Sequence, residues 1–329
     1  LLTWKENPMR KPLLIRGARQ VGKSSAIRHF GKEFKYFAEV NFERHKAIKS
    51  FFQGDIDVHL IAQKIASYIN VPIKEGETLL FFDEIQECPD AIMALRFFKE
   101  DYPELHVIAA GSLLEFTLQE LPTFGVGRIH SLFMYPMTFD EFLVANQETG
   151  LVAMRQKADS QHPLDTAFHE KLIEFFRIYL LVGGMPEAVL AWIKTKNFND
   201  CRQIQEDIVL TYEDDFSKYK KRVNPDLLRV TMRGICHQVG GKLTFKQISS
   251  DYRSSQIREA LRLLTLAGIT SPVVATSGNG VPLDAEADDT RMKVLFLDPG
   301  LLLAVIQLEG DLSRQIIDLI LTGSPQELV

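Results

Sequence analysis

Along roughly the first 145 residues, short apolar runs alternate with stretches whose apolar residues recur at helical spacing. The runs Leu13–Arg16, Lys35–Asn41, Leu79–Phe82, Leu105–Ala110 and Ile129–Tyr135 are rich in Leu, Ile, Val and aromatics. That is the signature of buried parallel strands. Between them, Lys23–Phe30, His59–Ile69 and Ala91–Asp101 read as helices. Strands alternating with helices predict an α/β sheet with right-handed crossovers. From about residue 150 the pattern turns helical, over Thr166–Leu181, Pro186–Thr195 and Asp200–Lys218. The turn Gly183-Gly184-Met185-Pro186 separates the first two, with Pro186 suited to a first helical position. Asn224–Thr270 predicts three short helices leading into a strand. A turn at Ser277-Gly278-Asn279-Gly280 then divides Ile269–Ala275 from Val294–Asp298, a hairpin with a long acidic insert.

Composition narrows the field of functions. With 329 residues, two or three domains are expected, and no disulfide or metal staple is needed to bury a core. The net charge of −5 excludes a uniformly basic nucleic-acid coat, so any polyanion site must be local. Cys88, Cys201 and Cys236 are odd in number and widely spaced, which fits reduced, buried thiols of a cytoplasmic protein. No apolar run approaches the ~18 residues that a membrane span needs. The chain opens without Met and stops after Ser324-Pro325-Gln326-Glu327-Leu328-Val329, as expected of a piece of something longer.

The chemistry begins at Gly17-Ala18-Arg19-Gln20-Val21-Gly22-Lys23-Ser24, which fits the phosphate-loop pattern G-x-x-x-x-G-K-[ST]. Glycines let the backbone fold tightly enough for consecutive N–H groups to face phosphate oxygens. The helix that follows aims the positive end of its dipole at the same anion. Lys23 would neutralise β- and γ-phosphate charge and the Ser24 hydroxyl would ligate Mg²⁺, with Ser25 completing the nucleotide-binding set. A random chain of this length matches the pattern about once in a hundred. Here the motif also has the strand–loop–helix setting it requires.

Thr78-Leu79-Leu80-Phe81-Phe82-Asp83-Glu84 supplies a second signal: a buried strand delivering carboxylates at its C-terminal end, where open α/β sheets place ligands. Asp83 would hold the Mg²⁺ shell opposite Ser24, and Glu84 would polarise the attacking water as general base. Three further residues have two readings each. Ser112 would contact the γ-phosphate or attacking water, or serve as a helix N-cap with Glu115 at the capping-box position; the two roles are compatible. Asn41, ending the second strand, would restrain Glu84 until ligand binds, or fill a plain turn role. Arg128, in Gly125-Val126-Gly127-Arg128, would reach a γ-phosphate across a subunit boundary, or form a surface salt bridge.

Together these residues resemble the AAA-type (ASCE-division) P-loop ATPases of prokaryotes related to the archaeal ATPase group. GARQVGKS, FFDEIQ, AAGSLLEF and GRIHSLFMYPMTFDEFL look like that family's phosphate loop, Mg²⁺-acid strand, sensor strand and fifth-strand segment. GGMPEAV and KVLFLDPGL look like signatures of its associated C-terminal domain of unknown function. The resemblance implies an α/β P-loop NTPase fold with a parallel sheet of order 5-1-4-3-2 and helices on both faces; the residues themselves add a helical region and, over Leu243–Thr270, a winged-helix-like domain. It implies ATP and Mg²⁺ as cofactors, and favours Arg128 as a finger acting in trans within a homo-oligomer.

The domains expected are residues 1–148 for ATP binding, 149–223 for the helical part and 224–329 for a winged-helix-like unit with the start of a C-terminal module. Residues 224–270 hold seven basic and three acidic side chains, a local net of +4. Lys242, Lys246, Arg253, Arg258 and Arg262 are therefore candidate DNA contacts. Asp284, Glu286, Asp288 and Asp289 on the hairpin would oppose them, and a protein-interaction role stays open. Three functions follow: an ATPase driving movement of the C-terminal parts, a slow nucleotide-gated signalling or defence switch, and a DNA-dependent ATPase.

Overall fold

A computed structural model describes residues 1–120, 127–219, 223–282 and 286–307. Gly125 and Val126, Asp284, the chain end from 308 onward and the side chain of Asp289 lie outside the described parts. The chain forms two compact units, Leu1–Tyr135 and Pro136–Val329.

The first unit is built on a five-stranded parallel sheet, β1 (Leu13–Arg16), β2 (Tyr36–Asn41), β3 (Thr78–Asp83), β4 (His106–Ala110) and β5 (His130–Phe133). Its order is β2-β3-β4-β1-β5, which is 5-1-4-3-2 read from the other edge. Alternate residues of the central strands enter opposite layers, because strand side chains alternate in direction. Leu14, Leu80, Phe82, Val107 and Ala109 join one layer. Leu13, Ile15, Leu79, Phe81, Ile108 and Ala110 join the other. Every residue of β3 is buried, which is why its sequence reads as an unbroken apolar run. Truncating the fully buried Phe82 to Ala would cost about 3–5 kcal/mol.

The helices of this unit are α1 (Leu2–Glu6), α2 (Lys23–Phe30), α3 (Val58–Ile69), α4 (Pro89–Asp101) and α5 (Leu114–Glu120). Local chemistry sets their ends. Asp57 caps α3 by accepting from the His59 and Leu60 N–H groups, Asn70 closes it in the left-handed region, and Pro89 opens α4. The edge strand β5 is shorter than its apolar run suggests, since its pairing with β1 covers only His130 to Phe133.

In the second unit, α6 (Phe139–Ala145) starts at a capping box between Thr138 and Glu141. Phe139 and Phe142 of α6 pack on Tyr179 of α8 (Thr166–Val182), and Leu143 joins Leu151 of α7 (Thr149–Lys157) and Leu172. Residues 136–148 thereby pack with the helical unit, although the sequence pattern places the boundary at 148. The helices α9 (Pro186–Thr195), α10 (Phe198–Asp215) and α14 (Pro299–Gln307) complete this bundle.

Between α10 and α14 come α11 (Pro225–Cys236), α12 (Phe245–Ile248), α13 (Ser254–Leu266) and the antiparallel pair β6 (Thr270–Thr276) and β7 (Ala287–Phe296). Helix α12 is a single turn that stops at Ile248. Beyond it, the Asp251 N–H bonds the Ser249 hydroxyl and the Ser250 hydroxyl bonds Asp251, local contacts that compete with helix.

A buried carboxylate ties the second unit together. Asp298 accepts from the Gly184 N–H at 2.6 Å and the Leu301 N–H at 3.0 Å, and burial pushes its carboxyl up to about 6. Gly183 must be glycine there, since its φ is +71° and a Cβ would stand 2.1 Å from Asp298 Oδ1. The three cysteines are free and buried. Among the described residues no helix is long and apolar enough to cross a membrane.

Candidate active site

The C-terminal ends of β1, β2, β3 and β4 converge on the loop Gly17–Gly22. Ala18 and Val21 are buried and anchor the loop, leaving Arg19 and Gln20 between them toward the surface. Gly17 has φ +133° and would carry a Cβ 2.1 Å from the Met134 carbonyl, so no larger residue fits. Gln20 and Gly22 also lie at positive φ, and the Ala26 N–H bonds the Gly22 carbonyl as α2 begins. Ser25, one residue into the helix beyond Ser24, is exposed.

Lys23 is buried, 8% exposed, and its ammonium donates to the carbonyls of Gly17 at 2.9 Å and Ala18 at 2.6 Å. Burial pulls its pKa down to about 8, opposed by the carboxylates of Glu84 and Asp83. Ser24 Oγ donates to Asp83 Oδ1 at 2.7 Å. The other oxygen of Asp83 accepts from Asn41 Nδ2 at 3.0 Å and from Arg28 at 3.4 Å. A hydroxyl and a buried carboxylate side by side are hard oxygen donors, the few protein ligands that Mg²⁺ uses while retaining water.

Glu84 follows β3 with φ +51°. Its Oε2 accepts from Gln86 Nε2 at 2.6 Å and from Ser112 Oγ at 3.3 Å, and Ser112 accepts from Arg19 Nε at 3.2 Å. Asn41, expected to restrain Glu84, holds Asp83 instead. The β2–β3 register pairs Asn41 with Asp83 directly, and Glu84 lies one residue beyond the strand. The N-cap reading of Ser112 also fails. Helix α5 starts only at Leu114, and Glu115 makes a bidentate pair with Arg16. Arg128 pairs with Glu100. It precedes His130, the partner of Leu13 at the start of β1, so it sits at the N-terminal end of the strands, opposite the end that carries the loop.

Sequence reasoning missed Arg28 and Gln86. Arg28 stands four residues after Ser24 on α2 and so shares its face, a signal that was available. Gln86 carried none, because its position depends on the turn at Glu84.

Residues 9–143 match the AAA domain family, and residues 173–312 match a domain of unknown function (DUF8612). A search of curated proteins returns no match. Among solved structures, the chain is similar to the Aeropyrum pernix ORC1 protein in complex with DNA, at 12% identity and TM-score 0.33, covering 97% of this chain and 89% of that one. Drosophila ORC bound to DNA is similar at 11% identity and TM-score 0.34, covering 98% and 93%. A signal transduction ATPase with numerous domains and a tetratricopeptide repeat sensor, from Pyrococcus horikoshii, gives 11%, 0.35, 99% and 45%. At TM-scores this low, these likenesses carry no weight for function.

Proposed function

We propose that this chain, an AAA-type P-loop ATPase with a C-terminal domain of unknown function, binds ATP on the loop Gly17–Ser24 and hydrolyses it. The observation that carries this reading is the arrangement at Lys23, a buried ammonium bonded to the carbonyls of its own loop, next to the Ser24–Asp83 pair. A cation held this way is poised to exchange neutral carbonyls for phosphate oxygens. Ser24 and Asp83 would hold Mg²⁺, which when bound neutralises developing charge on the phosphate oxygens. Glu84 takes the proton of the attacking water, and Arg19 and Ser112, hydrogen-bonded to each other beside it, would contact the γ-phosphate. The reaction then drives movement of the C-terminal parts against a partner. Lys23→Ala tests the site: equilibrium binding of Mg-ATP should be lost, and retained affinity would refute it.

In this reading Arg128 acts only on a neighbouring copy, since its own loop lies at the other end of the strands. Mixing Arg128→Ala with Glu84→Gln subunits should restore part of the activity; no recovery would remove the trans role.

A cleft in the second unit favours DNA as the partner. Its volume is about 310 Å³, and Lys242, Lys246 and Arg258 line it with Thr244, Ser254 and Thr290, the last with its hydroxyl donated to Asp288. Arg253 is outside this lining, and Arg262 is committed to Glu259 through two bonds, at 2.7 and 2.8 Å. Three phosphate contacts predict a log–log salt slope of about −2.7 for duplex binding, or ~40-fold weaker affinity at 200 mM than at 50 mM salt. Binding insensitive to salt would refute this partner.

A further inference from the structure

We infer that Gln86 is a positioning residue that sets the carboxylate of Glu84 for proton transfer, an inference that rests on Glu84 being the base proposed above. The backbone departs from β3 at Glu84 in the left-handed region, φ +51°, and turns at once into a single 3₁₀ turn, Ile85–Glu87. That turn sets Gln86 beside the carboxylate two residues before it, with Nε2 donating to Oε2 at 2.6 Å. The orientation of the amide follows from chemistry. An ionised carboxylate only accepts, so the NH₂ end faces it.

The amide has a seat. Gln86 Oε1 is buried and without a hydrogen-bond partner among the described residues, and it lies where a Cβ on Gly111 would stand, at 2.1 Å. Gly111, the residue after β4, therefore makes room for the glutamine by lacking a side chain. Ser112, the next residue, donates to the same Glu84 oxygen at 3.3 Å. Both bonds end on Oε2. They fix the carboxylate through that atom and leave Oε1 as the oxygen that takes a proton from water. Gln86 touches Glu84 and no reacting atom, so its part is placement, and small displacements of a base slow chemistry by up to about a hundredfold.

The test combines kinetics with a measurement on the nucleotide-free protein. Gln86→Leu and the nearly isosteric Gln86→Glu, which lacks the N–H donor, should each lose ten- to a hundredfold in kcat, an order of magnitude set by misplacement. KM, the Kd of a Mg-bound non-hydrolysable ATP analogue and the thermal midpoint should stay near wild type. Gln86→Asn should recover part of the loss. In a Glu84→Gln background, Gln86→Leu should cause no further loss. Without nucleotide, the Gln86 side-chain amide resonance, assigned by its absence in Gln86→Leu, should move on Glu84→Ala substitution. Wild-type turnover by Gln86→Glu, additive losses in the double variant, or an unmoved resonance would overturn the inference while leaving the base reading standing. Wild-type turnover by Glu84→Gln would instead sink the base reading and this inference with it.

Discussion

Nucleotide binding should take up a proton near pH 8, and Lys23 is the reason. Its ammonium is 8% exposed and its pKa lies at about 8, because burial outweighs the attraction of Glu84 and Asp83. At pH 8 about half of the empty protein therefore carries a neutral lysine. A bound polyphosphate favours the ammonium, so binding at that pH takes up roughly half a proton. From pH 7 to pH 9 the charged fraction of empty Lys23 falls from about 0.9 to about 0.1. The Kd should then rise about tenfold, equivalent to ~1.4 kcal/mol. The phosphate's own second ionisation, near 6, is complete by pH 8 and adds nothing. Isothermal titration of a non-hydrolysable ATP analogue with Mg²⁺, in two buffers of different ionisation enthalpy, counts the protons directly. An uptake of zero at pH 8 together with a constant Kd from pH 7 to 9 would mean that Lys23 is fully charged in the empty protein. The same depression has a stability consequence of definite sign. The unfolded chain binds the extra proton, so the empty protein should gain stability as pH rises from about 8 toward 10.5.

Gly17→Ala should lower stability by about 1–3 kcal/mol from backbone strain alone and reduce nucleotide affinity. The strain comes from φ +133°, and the Cβ placed 2.1 Å from the Met134 carbonyl adds a clash to it. Thermal unfolding and equilibrium binding check both effects, and affinity within twofold of wild type would contradict them. Asp298 predicts a pH dependence in the second unit. Its carboxyl is raised from 3.8 to about 6, so the folded form holds a proton that the unfolded chain has released. Its contribution to stability is therefore present below about pH 4 and lost as pH rises through 6, at most ~3 kcal/mol. Comparing denaturant midpoints of wild type and Asp298→Asn between pH 4 and 7 should show this slope only in the wild type; parallel curves would count against it.

What the sequence made legible was whatever depends on near neighbours. The run Thr78–Phe82 reads as a buried strand because all its residues are covered from both faces. The phosphate loop is legible because Gly17 and Gly22 answer to local backbone geometry, φ +133° and +95°. Ser24 beside Asp83 was legible from the two motifs, but other pairings across the chain were not. Asn41 meets Asp83 through the register of β2 on β3, and Arg16 meets Glu115 across 99 residues. The contact of Gln86 with Glu84 is close in sequence but depends on a left-handed residue that no propensity marks as required. The unit boundary after Tyr135 rests on Phe139 and Phe142 choosing Tyr179 as a neighbour. Hydrophobicity says that such rings are buried and leaves open against what.

The proposed role of Glu84 as the base for ATP hydrolysis at this loop can be separated from a role in binding. Glu84→Gln keeps the size of the side chain and removes its basicity, so one preparation measured for both Mg-ATP affinity and single-turnover hydrolysis tests it most directly. With Glu84 as the base, affinity should stay within a few-fold of wild type and hydrolysis should slow by about 10²–10⁴, the range of general-base contributions. Hydrolysis at the wild-type rate would contradict it.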